Sequence, residues 1–98
     1  MILRFFRAIV HDGKQNEFRD FFLGTALPNV RAQAGLVSVS VGLPIDKSPT
    51  EFSMVMVWRD LNALMGFTGE RWEEAVIHPD EVHLLKETHV HHYNLAQI

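Results

Sequence analysis

The chain contains no cysteine among its 98 residues, so it has no disulfide, no thiolate nucleophile and no sulfur ligand for a metal. It also has no long apolar segment. The longest uninterrupted apolar run, 54–58, is far shorter than the roughly 20 residues that span a bilayer. The start of the chain lacks the basic and then apolar pattern of a signal peptide. We therefore expect a cytoplasmic protein with no membrane partner.

No block of like charge occurs either. The net charge is -3, and the nine lysines and arginines are scattered along the chain. A nucleic-acid partner normally requires a basic patch or stripe, so none is expected here. The hydrophobic fraction of 47% is high enough for a real core, and the length corresponds to a single domain, 1–98.

Four segments have the composition of strands: 1–11, 36–43, 51–58 and 87–95. Strand 36–43 alternates apolar and small residues, with Val37, Val39 and Val41 on one face, as a half-buried strand does. The first and third strands differ because apolar residues occupy both of their faces.

Two helical regions separate these strands. The first starts near Lys14. Pro28 lacks an amide proton and would break a continuous helix, but it suits the first turn of a second segment that ends at Gly35, so a kinked helix is expected. The second is expected to be capped by Asp60 and to bend at its glycines before a further helical part that contains Trp72.

The order strand, helix, strand, strand, helix, strand predicts an α+β fold of the ferredoxin-like βαββαβ type, with helices on one face of a four-stranded antiparallel sheet. The other face would expose a large apolar patch in a monomer. We therefore expect a homodimer in which two sheets close into a dimeric α/β barrel.

Several segments carry a resemblance to a known family: MILRFFRAIV at the start, the strand led by Gly35, EFSMVMVWRDLNALMGFTG in the middle, and HVHHYNL near the end. Together they resemble the antibiotic biosynthesis monooxygenase family of dimeric α/β-barrel proteins, over nearly the whole chain. The most specific of them is the strand that runs through Trp58 into a helix.

The resemblance implies a small pocket between sheet and helices, and a monooxygenase that acts without metal or flavin cofactor on a small aromatic or quinol-like substrate. The alternative is a dimeric small-molecule-binding or structural module of the same fold with no catalysis, because fold alone does not carry function.

Trp58 and His78 are the candidate catalytic residues. By resemblance Trp58 lines the pocket, where its N–H could orient a substrate oxygen, although core packing explains a buried tryptophan equally well. His78 could accept a phenolic proton, or it could cap a helix at the surface. Candidate substrate-binding residues are Met54, Met56, Phe67, Trp72 and His91.

Other sites are less well supported by the sequence. His89 and His91 share a strand face but lack the third ligand that a zinc site needs, so no metal is predicted. The heme-degrading branch of the family has an asparagine on the first strand, where this chain has only Phe5, Phe6 and Arg7. Arg4 and Arg7 are expected on opposite strand faces. They could bind an acidic group, but ion pairs at an edge or a dimer rim are the default expectation.

Overall fold

The computed structural model describes all 98 residues, and its elements follow the order of a ferredoxin-like fold. The strands and main helices are β1 (Ile2–Val10), α1 (Gln15–Phe21), α2 (Leu27–Arg31), β2 (Leu36–Gly42), β3 (Glu51–Trp58), α3 (Leu61–Thr68) and β4 (Leu85–Asn94). The strands form one antiparallel sheet in the order β2-β3-β1-β4. The predicted βαββαβ fold is confirmed. None of the helices has the length and apolar character needed to cross a bilayer.

The two central strands, β1 and β3, bury every second side chain against the helices. The buried set includes Phe6, Ala8, Phe52, Met54, Met56 and Trp58. The alternate residues, among them Leu3, Phe5 and Val55, lie half-buried on the opposite face of the sheet, which no element covers. We call this second surface the open face. Both faces of β1 and β3 are therefore largely apolar, as predicted.

The first helical region consists of two α-helical segments, as predicted. A π-helical turn, Phe22–Ala26, joins α1 directly to α2, and the amide of Leu27 bonds to the carbonyl of Phe22 five residues earlier. Pro28 lies in the first turn of α2, where its missing N–H costs little. The region ends, however, at Arg31 rather than at Gly35.

Asp60 caps α3 as predicted, since its Oδ1 accepts a hydrogen bond of 2.8 Å from the amide of Ala63. The prediction of a further helical part around Trp72 is wrong. The helix stops at Gly69, whose φ of 79° is left-handed, and residues 70–81 form turns without a regular helix. A short 3₁₀ turn, Val82–Leu84, then leads into β4.

A bulge also alters the predicted pattern of β2. The pairing with β3 shifts between Leu36 and Ser38. Val37 is consequently half-exposed, whereas Val39 and Val41 pack against the core as expected.

Candidate functional site

A cavity of about 450 Å³ lies between the helices and the covered face of the sheet. Its floor is formed by β1 and β3, one wall by the helical region 21–30, and its rim by the segment 76–81. Ten of its sixteen lining residues are hydrophobic, so the cavity suits an apolar ligand of small-molecule size.

The floor and wall are built by strand and helix periodicity. Phe6, Met54 and Met56 project from alternate strand positions, and the ring of Phe22 packs 6.3 Å from that of Phe6. Phe67 approaches from α3. Of the predicted substrate-binding residues, the structure brings Met54, Met56 and Phe67 together around the cavity.

Arg4 is the most deeply buried charged residue at the cavity, with only 1% of its surface exposed. Its guanidinium donates hydrogen bonds to the carbonyl oxygens of Trp72 (2.6 Å) and Glu74 (2.8 Å). The guanidinium Nε has no partner. Burial lowers the pKa of Arg4 to about 10, so the side chain is still charged at neutral pH.

His92 of β4 is the third partner of Arg4, with its Nε2 2.9 Å from a guanidinium nitrogen. Because arginine can only donate, His92 Nε2 must be unprotonated, and the neutral ring carries its proton on Nδ1. Burial, followed by the nearby charge of Arg4, lowers the pKa of His92. Arg4 therefore has no carboxylate partner; its three hydrogen bonds all end on neutral groups.

Glu81 is the second charged side chain buried at the cavity, at 5% exposure. Its Oε2 accepts a hydrogen bond of 3.0 Å from the amide of His78, and no hydrogen bond reaches Oε1. Burial raises the pKa of Glu81, against smaller opposing effects of the His78 amide and imidazole. A carboxylate with one free oxygen and a raised pKa is a suitable proton acceptor.

His78 lies at the cavity rim, as a candidate site residue should, and its side chain is about half exposed. Its Nδ1 accepts the amide of Asp80 at 3.0 Å, and its ring lies 5.5 Å from that of Phe21. Neutral His78 in this arrangement carries its proton on Nε2. It therefore offers the cavity a donor, and it could accept a proton only at Nδ1 after losing the bond to Asp80.

Trp58 is fully buried beneath the cavity and is not one of its lining residues. Its ring stacks on that of Phe67, with 5.3 Å between centroids and 16° between planes. The indole N–H is buried and has no acceptor. Trp58 thus reaches the cavity through Phe67, which does line it.

Two predicted substrate-binding residues lie outside the cavity. Trp72 sits in the turn segment before β4, where its ring and that of His92 form a T-shaped pair with 5.0 Å between centroids. His91 pairs with Phe5 and points to the open face, because neighbouring residues of a strand alternate between faces. His89 shares that face with His91, and no group of three or more potential metal ligands is present.

The sequence interpretation did not assign Glu81 to the site and expected an ion pair for Arg4. Arg7 does form such a pair, with two hydrogen bonds of 2.9 Å to Glu51 on the open face. Arg4 does not. One signal in the sequence was available, because Arg4 interrupts the apolar series of alternate residues on the covered face of β1. A charge at such a position must find buried partners.

No protein-family model matches the chain, and no curated protein matches it in sequence. Solved structures do match. A Deinococcus radiodurans protein provisionally named an antibiotic biosynthesis monooxygenase is 14% identical, with a TM-score of 0.79 over 100% of this chain and 95% of that chain. SnoaB, a cofactor-independent oxygenase from Streptomyces nogalater, is 22% identical, with a TM-score of 0.72 over 99% of this chain and 94% of its own.

A Shewanella oneidensis protein is 18% identical, with a TM-score of 0.77 over 94% of this chain and 87% of that chain. At these identities the similarity is one of fold. The chain has the fold of the antibiotic biosynthesis monooxygenase structures, which confirms at the level of the fold the resemblance noted in the sequence.

Proposed function

We propose that the protein is a cofactor-independent monooxygenase that oxidises a small aromatic or quinol-like substrate in the cavity of about 450 Å³. The observation that carries this function is the composition of the cavity: apolar walls, with Arg4, His78 and Glu81 as its only ionisable lining residues. The fold shared with SnoaB, which is named a cofactor-independent oxygenase, supports the same reading.

In this reaction the substrate itself reacts with O2, and the protein supplies no redox group. An electron-rich aromatic compound becomes reactive towards O2 once its hydroxyl or activated C–H loses a proton. In an anthrone, the ring methylene loses two hydrogens, one atom of O2 becomes the new quinone oxygen, and the other leaves as water. The protein has to exclude bulk water, hold the ring and stabilise the deprotonated form.

We assign proton acceptance to Glu81, because its Oε1 is free and burial raises its pKa towards neutrality. His78 is then a hydrogen-bond donor to a substrate oxygen through Nε2, and Met54, Met56 and Phe67 form the surface on which the ring lies. Trp58 is a positioning residue, which holds Phe67 by stacking.

Oxygen uptake with a panel of anthrones and quinols tests this function. We expect uptake above the buffer rate, and a fall of about 10²-fold in kcat for Glu81→Gln, the usual scale of general-base catalysis. Glutamine keeps an oxygen that can accept the His78 amide. His78→Ala should raise KM more than it lowers kcat. Uptake at the buffer rate with every compound would favour the alternative, a binding module of the same fold.

We also propose that a second copy of this chain covers the open face. Leu3, Phe5 and Val55 leave an apolar surface there, and the charge of Arg7 on this face is balanced within the chain by Glu51. A two-fold axis brings such a surface onto itself. Sedimentation at micromolar concentration should give a dimer, and Phe5→Lys should dissociate it. A wild-type monomer of 11.2 kDa would contradict the pairing.

A further inference from the structure

Only two charged side chains of this chain are buried, and both line the same cavity. Arg4 and Glu81 nevertheless form no ion pair with each other. The hydrogen bonds of Arg4 end on two backbone carbonyls and on the neutral ring of His92, and those of Glu81 begin at a backbone amide. The cavity therefore contains a cation that is hydrogen-bonded but has no counter-charge in contact with it.

None of the groups around Arg4 neutralises its positive charge. On β3 its neighbour is the apolar Met56, and on β4 it is His92, whose pKa is lowered by burial and then by the charge of Arg4. The carboxylate of Glu73 is close enough to affect the pKa of His92 but does not pair with Arg4. Because Arg4 is buried, the effective dielectric around it is lower than in water, and its charge acts on neighbouring groups more strongly than an exposed charge would.

We infer that the cavity binds aromatic compounds with an ionisable hydroxyl, phenols or enols, as their anions, and that Arg4 is the residue that selects the negative charge. The class of substrate rests on the proposed function. In the ionisation step the ligand O–H bond breaks, its electron pair stays on the ligand oxygen, and the proton passes to Glu81. Arg4 balances the charge that forms, and no oxidant takes part.

The purified protein can be tested with 4-nitrophenol, whose anion absorbs at longer wavelength than the neutral phenol. The pH is set below the pKa of the free phenol, so that free ligand is mostly neutral. Bound ligand should show the anion band. 4-Nitroanisole, which has nearly the same shape and no ionisable hydroxyl, should bind at least about tenfold more weakly, equivalent to about one pKa unit.

Arg4→Met should abolish the anion band and the preference for the phenol, while 4-nitroanisole binds as it does to wild type. Arg19→Met is the control, because Arg19 is an exposed arginine of α1 that lies on neither the cavity nor the open face, and it should leave both measurements unchanged. Arg4→Lys keeps the charge and should keep the band. Arg4→Met removes the donor to the carbonyls of Trp72 and Glu74, and this variant can fail to fold for that reason. In that case the presence or absence of the anion band in Arg4→Lys tests the role of the charge.

Neutral bound 4-nitrophenol in wild type, or an anion band that persists in Arg4→Met, would overturn the inference while leaving the oxygenase function standing. An anion band that depends on Arg4 in a protein that consumes no O2 with any substrate would uphold the inference and refute the oxygenase. If neither compound binds, the cavity does not take aromatic ligands and both are wrong.

Discussion

Replacing Trp58 by phenylalanine should not lower the free energy of unfolding, although Trp58 has 0% of its surface exposed. Two opposing effects determine the result. The smaller ring leaves a void of about 40 Å³, which costs about 1 kcal/mol at about 24 cal/mol per Å³. The same change removes a buried N–H without an acceptor, a defect that costs about 1–3 kcal/mol in the wild type.

The stacking on Phe67 is retained with a phenyl ring, so it does not alter this balance. We therefore expect Trp58→Phe to lie between about equal in stability to wild type and about 2 kcal/mol more stable. Trp58→Ala, which also loses the stacking, should cost about 3–5 kcal/mol. Urea denaturation of the three proteins, followed by far-UV circular dichroism, measures both differences.

A loss of more than about 2 kcal/mol for Trp58→Phe would refute the reasoning, because it would mean that the indole N–H has a partner in the folded protein. The kinetics of Trp58→Phe also distinguish two possible roles of Trp58 in turnover: holding Phe67, or contacting the substrate through its N–H. If Trp58 acts only by holding Phe67, the phenyl ring should preserve kcat and raise KM slightly. A large fall in kcat would place the N–H in direct contact with substrate.

Three further predictions concern stability. Gly35→Ala should lower the free energy of unfolding by about 3 kcal/mol or more, because φ is 84° and a Cβ would overlap the side chain of Ala63. Gly13 has a similar φ of 88° but open space around it, so Gly13→Ala should cost only about 1 kcal/mol. Thermal unfolding that ranks the two equally would contradict this. Asp60→Ala should lower Tm by less than Gly35→Ala, and Asp60→Asn should retain most of the cap.

The third of these predictions is that stability depends on pH through Glu81. Burial raises the pKa of Glu81 in the folded state, so between its ordinary value of 4.5 and the raised value the folded protein binds more protons than the unfolded chain. Wild type should therefore lose stability, relative to Glu81→Gln, as the pH rises through that window. Urea titrations at several pH values should show that the difference in unfolding free energy between wild type and Glu81→Gln disappears at low pH. A gap of the same size at every pH would show that Glu81 has no such shift.

Local pattern was sufficient to predict the fold. The alternation in β1 and β3 identified both apolar faces, and Asp60 marked the start of α3, because strand periodicity and helix caps are properties of neighbouring residues. The place of Pro28 in the first turn of a second helical segment was predicted on the same basis. The π turn that joins the two segments was not predicted.

The site was predicted only in part, because its polar groups are defined by contacts between distant segments. Arg4 binds carbonyls that lie 68 and 70 residues further along the chain. No local pattern indicates that the segment containing Trp72 folds back over β1 as turns, so that its backbone rather than its ring meets the arginine. Glu81 looked like one more surface carboxylate, and only the folded chain shows its burial.

The most direct test of the proposed function is to oxidise an anthrone under 18O2 with protein treated with a metal chelator and free of flavin. We predict one 18O atom in each quinone molecule, uptake of one O2 per substrate, and a marked fall in rate with Glu81→Gln but not with Arg19→Met, which changes an exposed arginine outside the cavity. Quinone formed at the rate of the buffer control, or product oxygen derived from water, would contradict a cofactor-independent monooxygenase.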